Sequence, residues 1–269
     1  MNGILEGVRV LLCLFFMVYA SWSDWKKREV SNMVWVVLAP LAFLLTSVQY
    51  VLFAGDLLIS YVLSFAVTSG LAFVLFYAGA FGGADAKALM CLSLALPHYP
   101  NDLFSGFPIS TSGVLVSPLF PITVFSNSVL LAALTVVYAL LRNLSWKLKT
   151  RSKLFEGFEK ESFGRKMLAL LTGYKINTAK LERHEYLYPL EDIGLTEGSQ
   201  AERRLLVMPK DENREQIVER ILNAARTGKI QNSVWATPGL PMLVFITIGL
   251  LTALVFGDIV WILLSLSFR

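Results

Sequence analysis

Carboxylates are the groups in this chain able to do acid-base chemistry, because little else is available. The sequence has two histidines, His98 and His184, and two cysteines, Cys13 and Cys91, none with a partner at metal-ligand spacing. Outside residues 142–232 the acidic side chains are Glu6, Asp24, Glu29, Asp56, Asp85, Asp102 and Asp258. Asp24 sits in Ser23-Asp24-Trp25-Lys26-Lys27-Arg28, and Asp85 follows Gly82-Gly83-Ala84. Two carboxylates held close together cannot both ionise cheaply, so such a pair titrates as a unit and offers one base and one acid. The base takes a proton from water, the acid gives one to a carbonyl oxygen, and the pair later supplies one to the leaving amine. That chemistry needs no metal and no cofactor. The sequence shows no phosphate-binding glycine loop and no basic-aromatic pattern typical of nucleic-acid binding.

The elements that must position these residues are membrane helices. Of the 269 residues 55% are hydrophobic and 16% charged, with a mean hydropathy of +0.58. Runs long enough to cross about 30 Å of hydrocarbon are expected at roughly 5–23, 33–53, 57–80, 85–97, 114–141 and 239–264. The fourth is short, and Pro118, Pro121 and Asn127 predict irregular first turns for the fifth. The opening run lacks a basic leader and a small-x-small cleavage site, so it reads as a permanent span. Eighteen of the 24 Lys and Arg lie between Arg142 and Asn232, Lys26, Lys27 and Arg28 follow the first run, and 52–58 and 98–112 contain none. By the positive-inside rule both termini are then outside and 142–232 is cytoplasmic. Asp24, Glu29 and Asp85 fall at the cytoplasmic ends of their spans, and Glu6, Asp56, Asp102 and Asp258 toward the outer face.

The expected architecture is therefore an α-helical polytopic membrane protein of six transmembrane helices, with a small α+β cytoplasmic domain between the fifth and sixth. Its parts are 1–141, membrane; 142–233, soluble; and 234–269, the last span. Within the soluble part, Tyr186 to Leu190 and Leu205 to Met208 are predicted strands. An amphipathic helix is predicted from about Glu212 to Arg226, with Asp211 or Asn213 as cap, Ile217, Ile221, Leu222 and Ala225 on one face, and Gly228 past its end.

Each aspartate also has a plain structural reading. Asp85 suits the start of a helix after a tight turn, and Asp24 suits a solvated flank beside three basic residues. Against the second, a carboxylate at a helix C-terminus faces the negative end of the dipole. Two segments carry a family resemblance: Ser23 through Asn32, and Gly82-Gly83-Ala84-Asp85-Ala86-Lys87-Ala88-Leu89. Together they resemble the prepilin peptidases, most closely the archaeal preflagellin peptidase branch, a group of GxGD-type membrane aspartic proteases.

The resemblance implies that Asp24 and Asp85 form the catalytic dyad of a membrane aspartic endopeptidase. Its substrates would be archaellin or type IV pilin-like precursors, whose basic leader is cleaved at the cytoplasmic membrane face. Gly82 and Gly83 either let the substrate backbone approach or only form the turn. Lys87 is expected to reach the interface. Ala84 stands where the family usually has Gly and Ser31 where it has Pro, so any left-handed residue in the turn must be Gly82 or Gly83. Pro238-Gly239-Leu240-Pro241 reads as an ordinary helix start, with shaping of substrate access as the other reading. The rival function is an ion- or proton-coupled transporter using the same aspartates, but no internal repeat is visible.

Overall fold

The computed structural model describes residues 2–104, 118–194, 202–206 and 214–267. Most of the chain is helical, and it divides into two compact units, 1–132 with 241–269, and 133–240. In the first unit α1 (Asn2–Lys27), α2 (Asn32–Phe53) and the segment Gly55–Tyr77 are long and apolar enough to cross a membrane. The last of these is a 3₁₀ turn continued by α3 (Leu58–Tyr77). α4 (Gly83–Ala95) and the short α5 (Asn101–Phe104) follow. A fourth long apolar helix, α6 (Phe120–Thr150), begins in the first unit and ends in the second. The chain closes with α10 (Met242–Phe256) and α11 (Ile259–Ser267), apolar enough together but bent by 61°.

The described helices thus give four candidate spans, or five if the bent pair counts as one. α4 is as short as the fourth run was expected to be, and it is not among the candidate spans. Its 13 residues make a helix about 20 Å long. It stops at Leu96 because Pro97 cannot continue the ladder, and other elements take up its last carbonyls. Thr46 Oγ1 donates to Leu94 O at 2.7 Å and Arg9 Nη1 to Ala95 O at 3.2 Å. Pro97 O accepts from Ser64 Oγ and from Phe120 N, each at 3.1 Å. Non-helical backbone is tolerable in an apolar core under these conditions, where protein groups satisfy it.

The expected irregularity of the fifth run also falls elsewhere. Pro121 sits in the first turn of α6, where its missing N–H costs nothing, whereas 114–117 lie outside the described residues. The sharp bend is in the last run, at Gly257, whose φ of 75° is left-handed. Asn127 holds it from α6, donating to Gly257 O at 2.8 Å and accepting from Ile259 N at 3.0 Å.

The second unit contains α7 (Phe163–Thr172), β1 (Tyr174–Asn177), α8 (Thr178–Arg183), β2 (Leu187–Pro189), β3 (Glu191–Gly194), β4 (Glu202–Leu205), α9 (Arg214–Arg226) and β5 (Ser233–Pro238). β5 is the centre of an antiparallel sheet in the order β1-β5-β2, and β3 pairs with β4. β2 falls within the strand predicted at 186–190. Of the strand predicted at 205–208 only Leu205 is strand, and Val207 and Met208 lie outside the described residues. α9 matches the predicted amphipathic helix and buries Ile217 and Ile221. Gly228 ends it at φ 72°, with Lys229 N bonded to Ala224 O. Its expected caps, Asp211 and Asn213, lie outside the described residues.

One charge cluster is buried in this unit. Glu191 is fully buried and accepts Arg203 Nη2 at 2.7 and 2.9 Å and Trp235 N at 3.1 Å. Beside it the Lys175 ammonium lies 5.6–5.7 Å from the ring centres of Trp146, Phe158 and Trp235. Burial pushes that amine down to about 8 against the opposing pull of Glu191, with Arg203 adding to the fall.

Candidate active site

Asp24 stands in the last turns of α1, which end because Arg28 adopts a left-handed φ of 57° with its N–H bonded back to Asp24 O at 3.0 Å. The connection to α2 is tied down by Ser23 Oγ, which donates to Glu29 O at 2.8 Å. Ser31 caps α2 by accepting from Met33 N at 3.3 Å, with φ −58° and ψ 135°. A proline fits that backbone equally well, so the departure at Ser31 keeps the local geometry and adds a cap.

Asp85 belongs to the first turn of α4, and its Oδ2 accepts the Gly82 N–H at 2.9 Å. The helix-start reading of this residue is therefore correct as far as one oxygen goes. Gly82 has φ −73° and Gly83 is the first helical residue. Ala84 follows within the helix, so alanine in the family's glycine position meets no strain there. The left-handed residue of the turn is Gly79, at φ 72°, and not Gly82 or Gly83 as expected. It closes α3, where Ala80 N and Phe81 N both bond to Leu75 O, and leaves an extended approach to α4. Lys87 is exposed and donates to Asn32 Oδ1 at 2.7 Å, tying α4 to the start of α2.

The fold brings the two aspartates into one neighbourhood, close enough for their charges to interact. Asp24 is half-buried, and its Oδ2 is fully buried with no hydrogen-bond partner among the described residues. The Arg28 guanidinium and the backbone amide of Leu243 also act on this carboxyl electrostatically. Leu243 lies at the start of α10, just past Pro238-Gly239-Leu240-Pro241, where Pro241 serves as an ordinary helix cap residue.

Sequence reasoning missed the clasp that holds α1 against α10. Ser21, one turn before Asp24 on the same helix face, donates to Leu243 O at 2.9 Å and meets Thr247 Oγ1 at 2.6 Å. Thr247 in turn donates to Met17 O at 3.2 Å. The i, i+3 spacing of Ser21 and Asp24 was a readable signal, but their partner helix was not. At the other end of the unit, the Glu6 carboxylate accepts the backbone N–H groups of Asp102 and Leu103 at 3.0 and 3.2 Å. Glu6 and Asp102 thus group together, away from Asp24, as expected. Two half-buried carboxylates in one neighbourhood, one of them with a buried oxygen lacking a hydrogen-bond partner among the described residues, are equipped to hold and activate a water.

Comparison with known proteins agrees with that chemistry. Residues 11–142 match the type IV leader peptidase family, and residues 165–259 match the archaeal peptidase A24 C-terminus, type II. The chain belongs to the type IV leader peptidase family. Membership makes it a peptidase, and the second match carries the likeness into the strand-containing unit, which the two aspartate segments left uncovered. A preflagellin peptidase of Methanococcus voltae is 28% identical over 249 residues, covering 91% of this chain and 93% of the relative. Another from Methanococcus maripaludis is 26% identical over 248 residues, covering 90% and 92%.

Proposed function

We propose that the chain is a membrane aspartic endopeptidase that removes the basic leader of archaellin or type IV pilin-like precursors at the cytoplasmic membrane face. Asp24 and Asp85 are its catalytic pair. The observation that carries this reading is their convergence from the end of α1 and the start of α4, with Asp24 Oδ2 buried and unpartnered. One carboxylate draws a proton from the bound water, which attacks the scissile carbonyl. The other protonates the carbonyl oxygen and regains a proton from a hydroxyl of the tetrahedral intermediate as the C–N bond breaks, while the proton taken from water passes to the leaving amine. Gly82, whose N–H holds Asp85 Oδ2, fixes the second carboxylate, and Gly83, without a side chain, lets a substrate backbone come close to it.

The same reading gives the topology. α4 with the non-helical residues 96–100 makes the fourth of six crossings, and α10 with α11 the last. Both termini are then outside, and the cytoplasmic domain that begins near 142 runs past 233 through β5 to Pro238, because β5 is the central strand of its sheet. The polar contacts to Leu94 O, Ala95 O and Pro97 O support a crossing made of helix plus non-helical chain. Co-expression with an archaellin-type precursor tests the activity. The proposal expects a product shortened by its leader, and an uncleaved precursor in intact membranes contradicts it.

A further inference from the structure

We infer that α7 is an interfacial helix that seats the second unit on an anionic lipid surface. The inference rests on the membrane reading of the chain and not on its peptidase chemistry, so precursor cleavage neither supports nor removes it. α7 has a buried edge and an open face. Ala169 is buried, and Leu170 packs on the cluster of Phe158, Leu190, Leu205 and Trp235. The other side presents Phe163 at 79% exposure, Met167 at 36% and Leu168 at 44%, with the half-buried Leu171 in line. Residues 163, 167 and 171 recur every fourth position, with Gly164 and Leu168 beside them, so they form one continuous stripe along the helix. A water-facing domain has no use for a nearly fully exposed phenylalanine at the head of such a stripe.

Charge identifies what covers it. Between Arg142 and Lys166 the chain carries eight Lys and Arg against three Glu, while residues 167–232 carry ten of each sign. All the net positive charge of the segment 142–232 therefore lies in the stretch that ends on α7. Arg165 borders the stripe, half exposed and paired with Glu161 at 3.2 Å, and Lys166 donates to Glu159 O at 3.3 Å. Lys147 and Lys149 stand in the last turn of α6, an apolar helix of crossing length, and only residues 151–162 separate it from α7. An apolar stripe edged with cations and tethered closely to a membrane helix matches a headgroup-level helix, with aromatic and aliphatic side chains in the acyl boundary and cations among the phosphates. A protein partner or a second copy would explain the stripe but not the confinement of net charge to this stretch.

The test uses the full chain with Cys13 and Cys91 replaced by Ala, reconstituted in vesicles of equal parts phosphatidylglycerol and phosphatidylcholine, or of phosphatidylcholine alone. A nitroxide is placed at Met167→Cys, at Leu168→Cys, or at the exposed control Glu185→Cys. Collision with oxygen, which concentrates in lipid, is compared with collision with a water-soluble nickel chelate. In anionic vesicles the oxygen-to-nickel ratio is expected to be several-fold higher at 167 and 168 than at 185. It should fall in uncharged vesicles and on adding Lys160→Gln, Arg165→Gln and Lys166→Gln. Water-like ratios at 167 and 168 in anionic vesicles overturn the proposal. Shielding from both collision partners with dipolar broadening also overturns it, in favour of a second copy. An oxygen excess indifferent to headgroup charge refutes the role given to the basic residues.

Discussion

Replacing Lys175 by Met should stabilise the second unit, and the size of the effect follows from the buried cluster. The amine is moved from its ordinary 10.5 to about 8, which corresponds to a preference for the neutral form of about 3 kcal/mol. Below pH 8 the lysine is protonated both folded and unfolded, so folding bears the whole cost of burying the charge. Between about pH 8 and 10.5 the folded protein has released this proton while the unfolded chain still holds it, and stability rises with pH. Methionine fits between the rings of Trp146, Phe158 and Trp235, and Glu191 keeps Arg203 and the Trp235 N–H as partners. Lost cation-π attraction offsets part of the gain. Lys175→Met is therefore expected to add roughly 1–3 kcal/mol at pH 7, or about 4 °C or more in the melting temperature of this unit. The assay is thermal unfolding of the full chain in detergent at several pH values between 6.5 and 10.5, wild type against variant. The gap should close as pH rises through that range. A variant less stable at pH 7, or a gap independent of pH, contradicts the cost assigned to burying the Lys175 charge.

Three further outcomes follow from the first unit. Gly249→Val should lower the melting temperature, because a Cβ there meets Val124 O at 2.8 Å and Ser128 N at 2.9 Å, backbone atoms that cannot yield; overpacking of this kind costs roughly 1–3 kcal/mol. Ser21→Ala and Thr247→Val should each slow cleavage severalfold through a displaced Asp24, and a double-mutant cycle should give a coupling of about 1 kcal/mol; purely additive effects contradict the clasp. In a background without Cys13 and Cys91, cysteines at Asn101 and Glu185 should be labelled from opposite sides of the membrane, and labelling from one side removes the six-crossing topology.

The sequence made the long spans legible because each is a run of apolar residues bounded by charge, and local composition is all that such a helix needs. α4 was harder to bound, since its end is set by Pro97 together with Thr46, Arg9 and Ser64 from three other helices. The bend at Gly257 was hidden for the same reason: Asn127 marked an irregularity in the fifth run, but its hydrogen bonds act on the last one. In the second unit β1 and β3 escaped notice because they bury Lys175 and Glu191, which breaks the alternation by which strands are recognised. At the candidate site the nearness of Asp24 and Asp85 was readable because each stands in a motif segment at the end of an apolar run. Ser21 with Thr247 was not, because the contact joins residues 226 positions apart.

Paired substitution tests the proposal that Asp24 and Asp85 act as one catalytic unit. Leader cleavage of an archaellin-type precursor is measured for Asp24→Asn, Asp85→Asn and the double variant, with membrane levels checked in each. Asparagine keeps the shape, and at position 85 it can still accept the Gly82 N–H, but it can serve neither as base nor as acid. Each single variant should lose cleavage, and the double should be no worse than either. Asp258→Asn is the control, since Asp258 accepts the Trp261 N–H at 3.0 Å on Oδ1 and Ser126 Oγ at 3.3 Å on Oδ2, contacts that Asn can keep because it caps a helix as well as Asp and the serine hydroxyl can accept as well as donate. It should cleave at close to the wild-type rate. Cleavage retained at the wild-type rate by either Asp24→Asn or Asp85→Asn, in protein inserted at normal levels, contradicts the claim.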